Sequence, residues 1–134
     1  MSQSLTQGVH HVGLTVTDLK ASSDFFTDLL GWEVTGGNPD YPAVFVSDGS
    51  VMVTLWLARE PAAAKPFDKD NNIGLHHLAI SVPDLDTLDT IYRRLVTAES
   101  IAIEFAPEPL RGGPTMHMMC FGPCGMRFEF IVAA

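Results

Sequence analysis

The stretch GVHHVGLTV, residues 8–16, comes back little altered as GLHHLAISV, residues 74–82. No other feature constrains the fold as much, because a segment used twice implies a structural unit used twice. Both copies run from a His-His pair through a β-type alternation into Val-x-Asp-Leu, with Val16, Asp18 and Leu19 in the first and Val82, Asp84 and Leu85 in the second. Strand side chains alternate between two faces. His11, Gly13 and Thr15 therefore share one face, and His10, Val12, Leu14 and Val16 the other. In the second copy His77, Ala79 and Ser81 oppose His76, Leu78, Ile80 and Val82. One histidine of each pair thus stands among small or hydroxylic neighbours, as in the lining of a cavity, and its partner stands in an apolar row.

The rest of the chain repeats around these strands. Asp18 is placed to cap a helix whose apolar face is Leu19, Phe25, Phe26, Leu29 and Leu30, ended by Gly31. Strands are predicted at 32–35, 43–47 and 51–57, separated by a Gly-Gly-Asn-Pro-Asp loop and an Asp48-Gly49 turn. Residues 58–73 are rich in charge and proline without a sustained period and read as a linker. The second half then gives a strand at 75–82 and a helix capped by Asp84 with Leu85, Leu88, Ile91, Tyr92 and Leu95 on its face. Strands follow at 101–105, 115–121 and 126–132, with a Pro-rich loop carrying Arg111 between the first two. The expected fold is α+β: one domain over 1–134, with βαβββ modules at 8–57 and 74–134 in tandem, forming a curved mixed sheet around a cavity.

Composition narrows the partners. Of 134 residues, 46% are hydrophobic, enough to bury a core. Sixteen acidic residues against eight basic ones leave a net charge of -8, which repels nucleic acid and anionic membrane surfaces. The first residues have no leader pattern and no apolar run is long enough to span a bilayer, so a cytoplasmic protein with a small-molecule partner is expected. Cys120 and Cys124 are too few for a disulfide framework.

The chemistry converges on the last strand. Glu129 shares a face with Arg127 and Ile131, opposite the apolar row Met126, Phe128, Phe130 and Val132. A buried carboxylate calls for a cation, a proton or a metal. His11, His77 and Glu129 make up the two-histidine, one-carboxylate set that holds a divalent ion and leaves positions open. The position matching Glu129 in the first half is Thr54, a poor ligand, so one metal site is expected rather than two. On the neighbouring strand Thr115, His117, Met119 and Phe121 share a face, and His117 is the candidate acid-base group beside Glu129. Trp56, Met52 and Phe121 offer an apolar wall, and Arg111 a charge for an anionic substrate. Met116, Met118 and Cys120 face the core.

HVGLTVTDL with ASSDFFTDLLGWEV, then HLAISVPDLD, then GPCGMRFEF resemble, in order and spacing, the vicinal oxygen chelate superfamily of glyoxalase I, bleomycin-resistance proteins, fosfomycin-resistance enzymes and extradiol dioxygenases. The resemblance implies His11, His77 and Glu129 as ligands of one divalent ion (Fe, Mn, Zn, Ni or Co). It also implies a homodimer, and a substrate chelating the metal through vicinal oxygens, with Thr54, Trp56, Met119, Phe121 and Arg111 around it. Glyoxalase-like lyase or isomerase chemistry is the leading expectation. Extradiol ring cleavage, or metal-free binding of a small molecule, is the alternative. Thr54 stands where glyoxalase I has a second glutamate, Met119 where extradiol enzymes place a tyrosine, and Gly13 where fosfomycin enzymes have a threonine. His10 and His76 are expected against the helices or at a subunit edge.

Overall fold

In both halves a short strand runs into an aspartate-capped helix. The structure, a computed structural model describing residues 3–133, divides the chain into two units, residues 1–62 and 63–134. In the first, β1 (His11–Val16) leads to α1 (Leu19–Asp24), where the Asp18 side chain accepts from the Ala21 amide. β2 (Glu33–Asn38), β3 (Ala43–Ser47) and β4 (Met52–Leu57) complete it in the order β1-β4-β3-β2, with β1 parallel to β4 and the other pairs antiparallel.

The second unit repeats this. β5 (Leu78–Ser81) leads to α2 (Leu85–Thr97), capped by Asp84 accepting from the Thr87 amide. β6 (Ala102–Pro109), β7 (Met116–Phe121) and β8 (Arg127–Val132) form a sheet of order β5-β8-β7-β6, with β5 parallel to β8. The fold is α+β, built from two four-stranded mixed sheets, each with its own helix.

The alternation sorts the faces as expected. Leu14 and Val16 join Phe25, Phe26, Val46, Val53 and Leu55 in one buried cluster, while His11, Gly13 and Thr15 lie on the exposed side. Ile80, Leu88, Leu95, Met118, Cys120, Phe128 and Phe130 form the second cluster. Burying each large side chain contributes about 2 kcal/mol, so these rows hold helix to sheet.

Five local details differ from the sequence reading. The first helix loosens into a π-helical turn at Phe25–Leu29, and the extra residue lets adjacent Phe25 and Phe26 both face inward. β2 runs on through Gly36 and Gly37, where the sequence predicts a loop, because a residue lacking Cβ tolerates the approach of Ala43: a Cβ on Gly37 would stand 2.7 Å from the Ala43 carbonyl oxygen. β6 extends through Pro107 and Pro109, tolerated on an edge strand where no amide is needed. β5 begins only at Leu78, so His76 and His77 precede the strand, and Leu85 is exposed rather than part of the helix's buried face.

Candidate functional site

β8 lies between β5 and β7, and its register sets the surroundings of Glu129. Ala79 is beside it on one strand and Met119 on the other. The small Ala79 leaves the carboxylate room, yet Glu129 is only 8% exposed, so its oxygens need partners. Nδ1 of His117 is 2.6 Å from Oε2, and Nε2 of His77 is 3.4 Å from Oε1. A carboxylate is thus bracketed by two imidazoles, one from β7 and one from the segment just before β5. His117 is itself buried, its ring tilted against Phe105 with centroids 4.9 Å apart. It is part of the site's floor rather than a solvated group at a rim.

Behind His77 stands a second layer. Nδ1 of His77 lies 2.8 Å from Nδ1 of His76, and Nη1 of Arg127 lies 3.5 Å from that same His76 nitrogen. Arg127 donates from Nε and Nη2 to the two oxygens of Glu104 at 2.7 and 2.8 Å. That two-pronged grip holds the Glu104 carboxyl below the usual carboxylate range and raises the guanidinium's own value. Arg127 therefore pairs with Glu104 and leaves Glu129 to the histidines. Of the two places expected for His10 and His76, a helix face is not the one taken: both are exposed and each turns onto its neighbour, where the ring nitrogens satisfy one another.

The matching place in the first unit is built differently. Gly13 pairs with Thr54 as Ala79 pairs with Glu129, which makes Thr54 the counterpart of the glutamate. Thr54 is buried, its hydroxyl accepting from the Trp56 indole at 2.9 Å. Tyr41 and Phe45 pack on Trp56 with centroids at 5.0 and 5.7 Å, giving this unit an aromatic group where the second has acid and base. Tyr41 also borders a hollow of about 300 Å³ with Pro42, Leu57 and Arg59. His11, the first residue of β1, is exposed and joined to His10 by an Nδ1 contact of 2.9 Å.

The other candidates are spread more widely. Met119 is buried beside Glu129. Phe121 lines a hollow of about 670 Å³ with Lys65, Pro66, Phe67, Lys69 and Asn72, so part of the stretch read as a linker is built into the second unit. Arg111 is exposed in a short turn in the left-handed conformation, φ 51. Among the described residues, no group of three or more His, Cys, Asp or Glu is arranged to hold a metal ion. No helix among them is long and apolar enough to cross a membrane. Sequence reasoning passed over Glu104, which sits at a strand irregularity between Ile103 and Phe105, where alternation carries no information.

Comparison with known proteins agrees with this layout. Over 91 residues the chain is 32% identical to the catechol-2,3-dioxygenase of Bacillus subtilis strain 168, a match covering 65% of this chain but about 30% of that enzyme's length. A glyoxylase/bleomycin resistance protein/dioxygenase domain from Frankia sp. EAN1pec superposes with a TM-score of 0.81 at 25% identity, covering 96% of this chain and 99% of that one. A lactoylglutathione lyase from Agrobacterium tumefaciens shares the fold, with a TM-score of 0.72, 22% identity, and coverage of 97% and 96%. With the family model matched across residues 8–130, from the first His-His pair through the strand of Glu129, the chain belongs to the Glyoxalase/Bleomycin resistance protein/Dioxygenase superfamily.

Proposed function

We propose that the chain is a divalent-metal-dependent enzyme acting on a small molecule through two adjacent oxygens, with lyase or isomerase chemistry of the glyoxalase type. The observation that supports this is the buried Glu129 carboxylate, with Oε2 bonded to His117 and Oε1 facing Nε2 of His77 at 3.4 Å. The donor chemistry fits a metal: that separation is longer than a good hydrogen bond, and an imidazole nitrogen and a carboxylate oxygen are the donor types a divalent ion takes. His77 and Glu129 are the proposed donors from the second unit and His11 the one from the first, and iron, manganese, zinc, nickel and cobalt all accept such ligands. A bound divalent ion would supply Lewis acidity toward an oxyanion on the substrate.

The proton work falls to one side of the site. Thr54 offers no carboxylate, and its hydroxyl is engaged with Trp56, so a shuttle between two glutamates is not available. Glu129 and His117 form the acid-base pair: the carboxylate fixes the imidazole through Nδ1 and leaves Nε2 as the nitrogen that gives or takes a proton. Thr54 and Trp56 in the first unit and Met119 and Phe121 in the second are the proposed substrate contacts, and Arg111 would pair with an anionic group of the substrate.

Ring-cleaving dioxygenation is the second reading, favoured by the similarity to catechol-2,3-dioxygenase. Protein purified without chelator should carry about one divalent ion per chain, and Glu129→Ala should lose it. Equal metal content in the two would sink the assignment of Glu129 as a ligand, and no metal in the wild type would favour a metal-free binding protein. Turnover of methylglyoxal adducts without dioxygen uptake supports the lyase; dioxygen consumed with catechols moves the assignment to ring cleavage.

A further inference from the structure

We infer that Glu104, Arg127 and His76 form a positioning relay that presents His77 to Glu129 through a bare Nε2. The inference rests on the metal-dependent reading for its use, though the state it describes is measurable without metal.

A histidine binds a divalent ion only through a ring nitrogen without a proton, and in the neutral ring the hydrogen bond made by the other nitrogen decides which one that is. The two Nδ1 atoms of His76 and His77, 2.8 Å apart, share one proton, so one ring donates and the other accepts. Arg127 settles the direction. A guanidinium has donors and no acceptor, and its Nη1 lies 3.5 Å from Nδ1 of His76. A proton on that nitrogen would point into the cation's field, so His76 turns its lone pair there and His77 carries the proton on Nδ1. Nε2 of His77 is then bare, and it is the atom facing Glu129 Oε1. The carboxylate at 3.4 Å draws a proton toward that nitrogen, so the contact on Nδ1 is what holds Nε2 bare in the metal-free chain. Glu104, gripping Arg127 at two points, keeps the guanidinium in place.

The duplication supplies its own control. The strand registers match Met52 to Arg127 and Thr35, at the bulge between Val34 and Gly36, to Glu104. Thr35 Oγ1 and Met52 Sδ meet at 3.8 Å, so the contact is retained without its charges. The His10–His11 contact persists beside it at 2.9 Å. Among the described residues, the second unit, the one with the glutamate, alone has the ion pair that sets the direction of its histidine contact.

The test is a long-range proton–nitrogen correlation spectrum of the metal-free full chain with 15N-labelled histidine at about pH 8, where imidazoles are mostly neutral. His77 is assigned through His77→Gln, and Zn2+ affinity is measured alongside by calorimetry. The expected result is Nδ1–H with bare Nε2 at His77 in the wild type. Arg127→Met, which installs the first unit's residue, should shift the tautomer toward Nε2–H and weaken Zn2+ binding about tenfold or more. Glu104→Gln should do the same in smaller measure. A proton on Nε2 in the wild type overturns the relay, as does an unchanged tautomer in the folded variants. Should Arg127→Met fail to fold, the wild type and Glu104→Gln decide between these outcomes. Failure of the wild type to bind Zn2+, with the tautomer responding as expected, removes the metal reading and leaves the relay supported.

Discussion

Gly13 has little spare room, and the reason is a single hydrogen bond. A Cβ there would stand 3.2 Å from Thr54 Oγ1 and 3.6 Å from Trp56 Nε1, so the glycine makes space for the indole-to-hydroxyl contact. Gly13→Ala should cost about 1 kcal/mol by overpacking and shift the tryptophan fluorescence, both read in a urea titration. The cysteines differ for a related reason. Burial pushes the Cys120 thiol up to about 12, while Cys124 lies half-buried in the turn before β8. A thiol reagent at pH 8 should titrate Cys124 in the folded protein and Cys120 only on denaturation; fast reaction of both would contradict the packing of β7. At this scale the sequence was informative where a residue type was unusual for its face, as with Glu129 between two phenylalanines. It was silent on Glu104, an ordinary acidic residue whose meaning lies in its partner.

At the scale of elements, periodicity carried the helices and most strands, because apolar spacing and aspartate caps are local properties. Where it fell short, the deciding contact was distant. Gly36 and Gly37 look like loop until β3 is present to pair with them, and the prolines of β6 look like breakers until the strand is known to be an edge. The Arg127–Glu104 pair joins β8 to β6 across β7 and carries a pH signature. Arg127 favours the charged form of Glu104, so the folded carboxyl titrates below its unfolded value. The stabilisation is complete above the ordinary value of about 4.3 and is lost as pH falls through the depressed one. Glu104→Gln should therefore lower stability at neutral pH by up to about 1 kcal/mol and converge on the wild type in acid, measured by denaturant midpoints from pH 7 to pH 3. A constant difference over that range would assign the loss to packing.

For the whole molecule, the repeated units account for the family fold without making the units equivalent. Each sheet is open, with its helix packed on it and two edge strands free of sheet partners within the unit. We propose that a second copy of the chain completes the assembly as a homodimer. Size exclusion with light scattering should give twice 14.6 kDa, and a constant monomer mass on dilution would refute it.

The sequence by itself determined the duplication, the order of elements, the capped helices and the strand faces on which His11, His117 and Glu129 stand, since all of these follow from local pattern and parity. Only the tertiary structure decided that Glu129 is bracketed by His77 and His117, that Arg127 turns to Glu104, and that each second histidine turns to its neighbour. Those pairings depend on strand register and on an extra residue in a strand, and register is a property of two strands together that neither sequence contains alone.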